Sequence, residues 1–141
     1  DTSALLKAYV EEAGSAVVKA IVDGPEPVGS SVLTYSEMKA VLARLRRIGR
    51  LSTVEEQRAA EGMERDWMTW PVMEVTQSIA REAGRLAVHH ALTGPDAIHL
   101  ASALHAASSQ NDPLTFWSAD LKLVAAARRE GLRIGNLGRA G

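Results

Sequence analysis

The stretch PLTFWSADLKLVAAARREGLRI, residues 113–134, decides the predicted fold. Residues 114–118 follow a proline and have the apolar and aromatic composition of a short strand. Residues 121–130 then favour a helix, which Gly131 ends, and residues 132–134 form the next strand candidate. A strand, a helix and a second strand in this order are typical of a parallel sheet covered by helices.

The same alternation extends over the rest of the chain. Two more strand candidates occupy residues 28–32 and 71–75. Helical patterns fill the segments 3–10, 12–22, 35–48, 76–92 and 96–108, and the capping box Ser52-Thr-Val-Glu55 opens one further helix. The segment 96–108 is apolar nearly all round, which indicates a buried helix. We therefore predict an α/β fold of three layers, with a mostly parallel central sheet flanked by helices.

Length and composition indicate one globular domain over residues 1–141. Apolar residues make up 46% of the chain and charged residues 23%, which is typical of a chain that folds around its own core. The absence of cysteine excludes disulfides, cysteine-bound zinc and thiol catalysis. No apolar run is long enough to cross a membrane and no signal peptide is recognised, so we expect a cytoplasmic protein. Since an α/β domain rarely begins at a loop residue such as Asp1, we expect a short strand upstream of it.

The charges of the chain nearly cancel, with 16 Lys and Arg residues against 17 Asp and Glu residues. A global positive field that would attract nucleic acid is therefore absent, and contact with a polyanion has to come from a local patch or a metal. The helices around residues 35–69 combine apolar and arginine-rich faces, and their basic residues form either a solvated face or a contact for RNA or a protein partner. The 4 histidines form no HExxH motif and no cysteines accompany them, so no zinc site is predicted.

Four acidic residues stand where a strand or loop turns into a helix: Asp1, Glu37, Asp96 and Asp120. In an open parallel sheet, sites form at the carboxyl ends of the strands, so these acids could face one edge of the sheet. Converging carboxylates repel one another unless a cation neutralises them. Mg²⁺ and Mn²⁺ prefer oxygen ligands, and such a metal supports nuclease chemistry.

Helix capping is the alternative interpretation of the same acids. Asp96 and Asp120 could simply satisfy free N–H groups at helix starts. Thr34-Tyr-Ser-Glu37 fits a capping box, in which Glu37 would bond the backbone rather than a metal. On this interpretation the chain is a non-catalytic binding module, and a metal titration separates the two hypotheses.

Four segments of the chain resemble a known family. They are residues 1–7 (DTSALLK), 30–37 (SSVLTYSE), 96–101 (DAIHLA) and 115–120 (TFWSAD). In order and spacing they resemble the motifs of PIN-domain ribonucleases, especially the VapC-type toxins of bacterial toxin–antitoxin pairs. Each segment alone is short and unspecific, whereas the four in order span essentially the whole chain.

The resemblance implies an Mg²⁺- or Mn²⁺-dependent endoribonuclease toxin that cleaves RNA, forms a homodimer and is neutralised by a cognate antitoxin. The catalytic, metal-binding acids that it implies are Asp1, Glu37, Asp96 and Asp120, with Ser3 and Ser118 as supporting hydroxyls. A structure-specific DNA nuclease with the same metal chemistry stays open, and a comparison of RNA and DNA substrates separates the two. We expect the antitoxin to dock on the helices around residues 35–69 and to cover the acids.

Overall fold

The computed structural model describes residues 1–109 and 113–138. Its helices are α1 (Thr2–Tyr9), α2 (Ser15–Val22), α3 (Leu33–Arg47), α4 (Thr53–Trp67), α5 (Gln77–His90), α6 (Gly94–Ser109) and α7 (Leu121–Arg129). Its strands are β1 (Ser30–Ser31), β2 (Val72–Met73), β3 (Thr115–Phe116) and β4 (Arg133–Ile134). Strands and helices alternate as predicted, and the α/β fold is confirmed.

The strands pair in parallel, as the sequence predicted, but they are short. β1 pairs with β2, and β3 pairs with β4, so the described part of the chain contains two two-stranded sheets. Each predicted strand is centred correctly and keeps only two residues in the ladder. On β1 the ladder ends because helix α3 begins at Leu33, directly after the last bond, from the Val32 nitrogen to the Met73 oxygen.

A cleft of about 810 Å³ is lined by residues from both sheets, among them Ser31, Val72 and Phe116. The predicted strand upstream of Asp1 stays a prediction. Asp1 also lines the cleft.

Helix α6 forms the centre of the core. Its first half is buried from Ala97 to Ala103 except for the partly buried Ile98, and Leu100 is fully inaccessible. It packs against α5, α7 and β1, and Leu86 and Leu123 complete the same apolar cluster. The burial predicted for the segment 96–108 is thus confirmed in its first half, while residues 104–109 are partly or fully exposed.

The ends of the helices follow from local hydrogen bonds. The predicted capping box at Ser52 is present: its hydroxyl accepts a bond from the Glu55 nitrogen at 3.2 Å, and the Glu55 carboxylate accepts one from the Ser52 nitrogen at 2.7 Å. Thr76 caps α5 with its hydroxyl alone, which accepts a bond from the Ile79 nitrogen at 3.3 Å. None of the helices in the described ranges is long and apolar enough to cross a membrane.

Candidate active site

Asp1 stands at the start of α1 and joins that helix to the end of β3. Its Oδ1 accepts a hydrogen bond from the Ala4 nitrogen at 3.2 Å, so it caps the helix. The Ser3 hydroxyl lies 3.0 Å from both carboxylate oxygens. The nitrogen of Asp1 donates to the Trp117 carbonyl oxygen at 2.8 Å. These contacts fix the carboxylate beside the loop that follows β3.

Ser118 bridges Asp1 and Asp120. Its hydroxyl donates to Asp1 Oδ2 at 3.1 Å and accepts from the Asp120 nitrogen at 3.0 Å. Asp120 caps α7, since its Oδ1 accepts from the Leu123 nitrogen at 2.8 Å. The structure therefore places Ser3 and Ser118, the two serines predicted as supports, against Asp1, and the Ser118 hydroxyl links the backbone nitrogen of Asp120 to the same carboxylate.

Glu37 reaches the same region from α3. Its Oε1 lies 2.8 Å from the Thr2 hydroxyl, which donates, and 2.6 Å from Nε2 of His99. Because a carboxylate only accepts, the His99 Nε2 carries the shared proton. Thr2 follows Asp1 directly, so the start of α1 connects Glu37 to the pair formed by Asp1 and Asp120.

The capping-box interpretation of Glu37 is wrong. Helix α3 begins at Leu33, two residues earlier than the predicted start at residue 35, and no side chain caps it. Thr34 is consequently inside the helix and fully buried, where its hydroxyl bonds that of Ser30 at 2.6 Å. With no Thr34 cap to close, the Glu37 carboxylate is free to point toward α1 and α6.

Glu37 is held in its charged form. Burial alone would raise the pKa of this carboxyl, but the hydrogen bonds and charge of His99 and the bond from Thr2 outweigh it and hold the pKa below its usual range. The side chain stays 29% exposed, whereas that of His99 is 3% exposed. An ionised, partly accessible carboxylate anchored through one oxygen is suited to bind a cation through the other.

Asp96 lies in the first turn of α6, one helical turn ahead of His99. Its Oδ2 accepts a hydrogen bond from the Thr93 hydroxyl at 2.5 Å, and its own nitrogen lies 3.4 Å from that hydroxyl. Thr93, rather than the Asp96 carboxylate, therefore bonds a free N–H group at the start of this helix. The capping interpretation is accordingly wrong for Asp96, whereas it is correct for Asp120.

The four acids offer oxygen ligands, and His99 beside Glu37 is the one basic side chain that pairs with them among the described residues. Over residues 1–109 and 113–138, no lysine or arginine lies within ion-pair distance of them, and Glu37 pairs only with His99. In the same ranges Oε2 of Glu37, Oδ1 of Asp96 and Oδ2 of Asp120 accept no hydrogen bond from the protein. No three of the acids bring ligand atoms within 4.8 Å of one another in this part of the chain. Mg²⁺ typically takes one or two carboxylates and fills its shell with water, so the residues fit such an ion.

Two residues of this arrangement were not predicted as part of the site. Thr2 lies within the first motif, residues 1–7, but only its neighbour Asp1 is predicted there as a metal-binding residue. His99 is a buried residue of α6 and could equally have been an ordinary core histidine; only its distance to Glu37 reveals the contact. The spacing of three residues from Asp96 was the one available signal.

Comparison with known proteins agrees with this geometry. The PIN domain family matches residues 1–129 of the chain. Two proteins of Mycobacterium tuberculosis are similar to it: Ribonuclease VapC45 of strain CDC 1551 / Oshkosh and Ribonuclease VapC49 of strain ATCC 25618 / H37Rv. Each is 37% identical over 137 residues, which cover 95% of this chain and 91% of the relative. The chain therefore belongs to the PIN-domain family and, within it, to the VapC-type ribonucleases, the endoribonuclease toxins of toxin–antitoxin systems.

Proposed function

We propose that this chain hydrolyses RNA phosphodiester bonds with Mg²⁺ or Mn²⁺ held by Asp1, Glu37, Asp96 and Asp120. The observation that carries the proposal is the hydrogen-bond network that connects Asp1, Glu37 and the backbone of Asp120, in which no lysine or arginine of the described residues pairs with the three acids. The carboxylates of these acids are oxygen ligands of the kind that Mg²⁺ and Mn²⁺ prefer, and a bound cation would offset their negative charge. VapC-type nucleases generally depend on a divalent metal, and the choice between Mg²⁺ and Mn²⁺ belongs to this proposal.

Each acid has a definite part in the proposal. Asp1 is oriented by the hydroxyls of Ser3 and Ser118, and Glu37 is oriented by Thr2 and His99. When bound, the cation would supply Lewis-acid stabilisation of the scissile phosphate and lower the pKa of a water molecule. The free oxygens of the protein then hold the cation, and the fixed hydrogen bonds keep the carboxylates from rotating away.

The alternative, a non-catalytic module whose acids serve only as helix caps, explains two of the four acids. Asp1 and Asp120 do cap helices, but a cap also permits metal binding through the remaining oxygen. Glu37 and Asp96 accept no bond from a backbone nitrogen among the residues that the structure describes. Capping therefore gives no reason for an acid at these two positions, whereas metal binding does.

A substrate panel tests the proposed reaction. The purified chain is incubated with structured RNA, single-stranded RNA and DNA of matched sequence, in EDTA and after addition of Mg²⁺ or Mn²⁺. We expect cleavage of RNA only, its loss in EDTA and its return with either metal. Cleavage of DNA alone would identify a DNA nuclease with the same metal chemistry, and full RNA cleavage in excess chelator would contradict the metal site.

We further propose a cognate antitoxin that docks on α3 and α4. Arg44, Arg47 and Arg50 are exposed at the end of α3, and none forms an ion pair with a residue in the described ranges. Ile48, directly after α3, and Met68, directly after α4, are large exposed apolar residues, 59% and 79% accessible. An amphipathic, acidic segment would complement both features. From its family membership we also propose that the chain forms a homodimer and acts in the cytoplasm.

A further inference from the structure

His89, His90 and Glu130 form a cluster at the ends of two helices, remote from the acids. The ligand atoms of all three lie within 4.8 Å of one another. His90 is the last residue of α5, and Glu130 follows the last residue of α7. Asp120 caps the opposite end of α7, about 15 Å away along the helix axis at 1.5 Å per residue. The cluster is therefore separate from the proposed active site.

The pair at the centre of this cluster is short and largely buried. Nε2 of His90 lies 2.6 Å from Oε1 of Glu130, and the His90 side chain is only 3% exposed. The hydrogen bond from His90, together with the charge of Arg85, holds the pKa of Glu130 below its usual range. The carboxylate is therefore in the ionised form that binds metals.

His89 completes the cluster through an unusual local geometry. Consecutive residues of a helix normally point in different directions. Here the rings of His89 and His90 lie 4.6 Å apart at 81°, at the point where the helix ends and Ala91 takes a left-handed conformation, with φ of 52°. His89 is exposed, so its ring can move without disturbing the core.

We propose that His89, His90 and Glu130 bind a transition-metal ion of the Zn²⁺ class, which ties the end of α5 to the end of α7. Two imidazoles and a carboxylate suit Zn²⁺, Co²⁺ or Ni²⁺, whereas Mg²⁺ prefers oxygen ligands alone. Three protein ligands leave a fourth tetrahedral position for water.

Metal binding requires only a small change in the cluster. With bonds of about 2.0–2.1 Å, two tetrahedral ligand atoms stand roughly 3.3 Å apart, so His90 and Glu130 separate by less than about 1 Å from their hydrogen-bonded distance. The ion takes the place of the proton that His90 Nε2 shares with Glu130, and the ring then binds the metal as the neutral tautomer with its proton on Nδ1. Arg85, whose Nη2 lies 3.5 Å from Oε2 of Glu130, keeps its nearer partner Glu82 at 2.6 Å.

Calorimetric titration of the full chain, without a histidine tag, tests the site. ZnCl₂ is added in the presence of saturating Mg²⁺, which occupies the acids, and thermal unfolding is recorded in parallel. The matched variants are His89→Gln, at an exposed position, and the control His105→Gln, also at an exposed position on α6. The chain has no cysteine, so no thiol competes for the metal.

We expect one equivalent of Zn²⁺ to bind and to raise Tm by about 5–10 °C at a free concentration about 100 times Kd. His89→Gln should weaken binding by about tenfold or more and remove most of the rise in Tm, while His105→Gln should change neither. Co²⁺ should bind with the visible absorption of tetrahedral coordination, and His89→Gln should abolish that signal. Absence of binding, or binding that His89→Gln leaves unchanged, would overturn the proposal.

Discussion

Nε2 of His99 lies 2.6 Å from Oε1 of Glu37, and this contact joins the central buried helix α6 to the only acid that α3 brings to the site. Because His99 is buried in the core on α6, its hydrogen bond fixes the position of the Glu37 carboxylate relative to α6. Thr2 holds the same oxygen from α1 at 2.8 Å. Three helices therefore determine where Glu37 Oε2 is presented.

Replacing Glu37 by Gln separates binding of a cation from structural support. Gln keeps an amide oxygen that can accept from His99 or Thr2, but it has no charge to offset a cation. We expect stability without metal to fall by only about 1 kcal/mol, because bonds to a neutral oxygen are weaker. RNA cleavage should drop on the order of 100-fold or more, and the rise in Tm on adding Mg²⁺ should shrink.

The matched control for this change is Glu61→Gln, which alters an exposed glutamate that bonds Gln57 on α4. It should leave both cleavage and the Mg²⁺-dependent rise in Tm unchanged. A Glu37→Gln variant with the wild-type cleavage rate would remove Glu37 from the proposed metal site.

His99 acts as a positioning residue in our proposal, so a conservative replacement should preserve its effect. His99→Leu removes the donor to Glu37, and we expect the Mg²⁺ concentration for half-maximal cleavage to rise about 10–100-fold. His99→Gln can place an amide N–H near the same point and should recover most of the affinity. If both variants lose stability equally and show the same Mg²⁺ dependence, His99 serves the core alone.

The fold was predictable because its signals are local, whereas the site depends on distances across the chain. The capping box that opens α4 and the Gly131 stop after α7 involve neighbours in sequence, and the predicted bounds agree with the structure to within a residue or two. The contact of Glu37 with His99 spans 62 positions, and nothing in the sequence separates it from a capping box at Thr34. The predicted capping box does not form, because α3 starts earlier, at Leu33, and Thr34 is buried inside the helix.

The division of the sheet could not be predicted either. Alternating strands and helices indicate parallel pairing but do not determine how many residues of each segment join the ladder. Only two residues of each strand do so, and the two pairs remain separate sheets. Likewise, the residue pattern near His89 and His90 contains no metal motif, because Glu130 reaches them from another helix.

Asp96→Asn tests the acid that the structure leaves most loosely connected. Asn keeps the size of the side chain and an oxygen that can accept from the Thr93 hydroxyl, so Tm without metal should stay within about 2 °C. Cleavage should fall on the order of 100-fold or more if Oδ1 binds the cation. Asp23→Asn, at an exposed position after α2, is the control and should cleave as the wild type does. Wild-type activity in Asp96→Asn would contradict its role.

The antitoxin proposal predicts a complex that depends on the end of α3. Co-expression with the neighbouring gene should yield a stable complex that does not cleave RNA. The double variant Arg47→Glu with Arg50→Glu should weaken that complex about tenfold or more and reduce its sensitivity to salt, since exposed charges act through screened attraction. Free toxin carrying the same changes should keep its melting temperature. Recovery of only free, active protein from the co-expression would count against the proposal.

Asp120 serves two purposes in our proposal, and a pair of substitutions distinguishes them. As the cap of α7, its Oδ1 accepts from the Leu123 nitrogen at 2.8 Å, while Oδ2 accepts no bond from any residue that the structure describes. Asn caps a helix about as well as Asp, so Asp120→Asn should leave stability nearly unchanged and still lower cleavage and the Mg²⁺-dependent rise in Tm. Asp120→Ala removes the cap as well and should cost about 1 kcal/mol in addition.

The two variants of Asp120 therefore share a loss of cleavage and differ in stability if the carboxylate binds the cation. Thermal unfolding with and without Mg²⁺, measured beside the cleavage rate, resolves both effects in one series. If Asp120→Asn cleaves RNA like the wild type and Asp120→Ala loses activity only in proportion to its unfolded fraction, Asp120 is a cap and nothing more. Asp1, Glu37 and Asp96 would then hold the cation. The bonds of Ser118 to Asp1 and to the backbone of residue 120 do not use the Asp120 side chain, so Asp1 would keep its position in every variant.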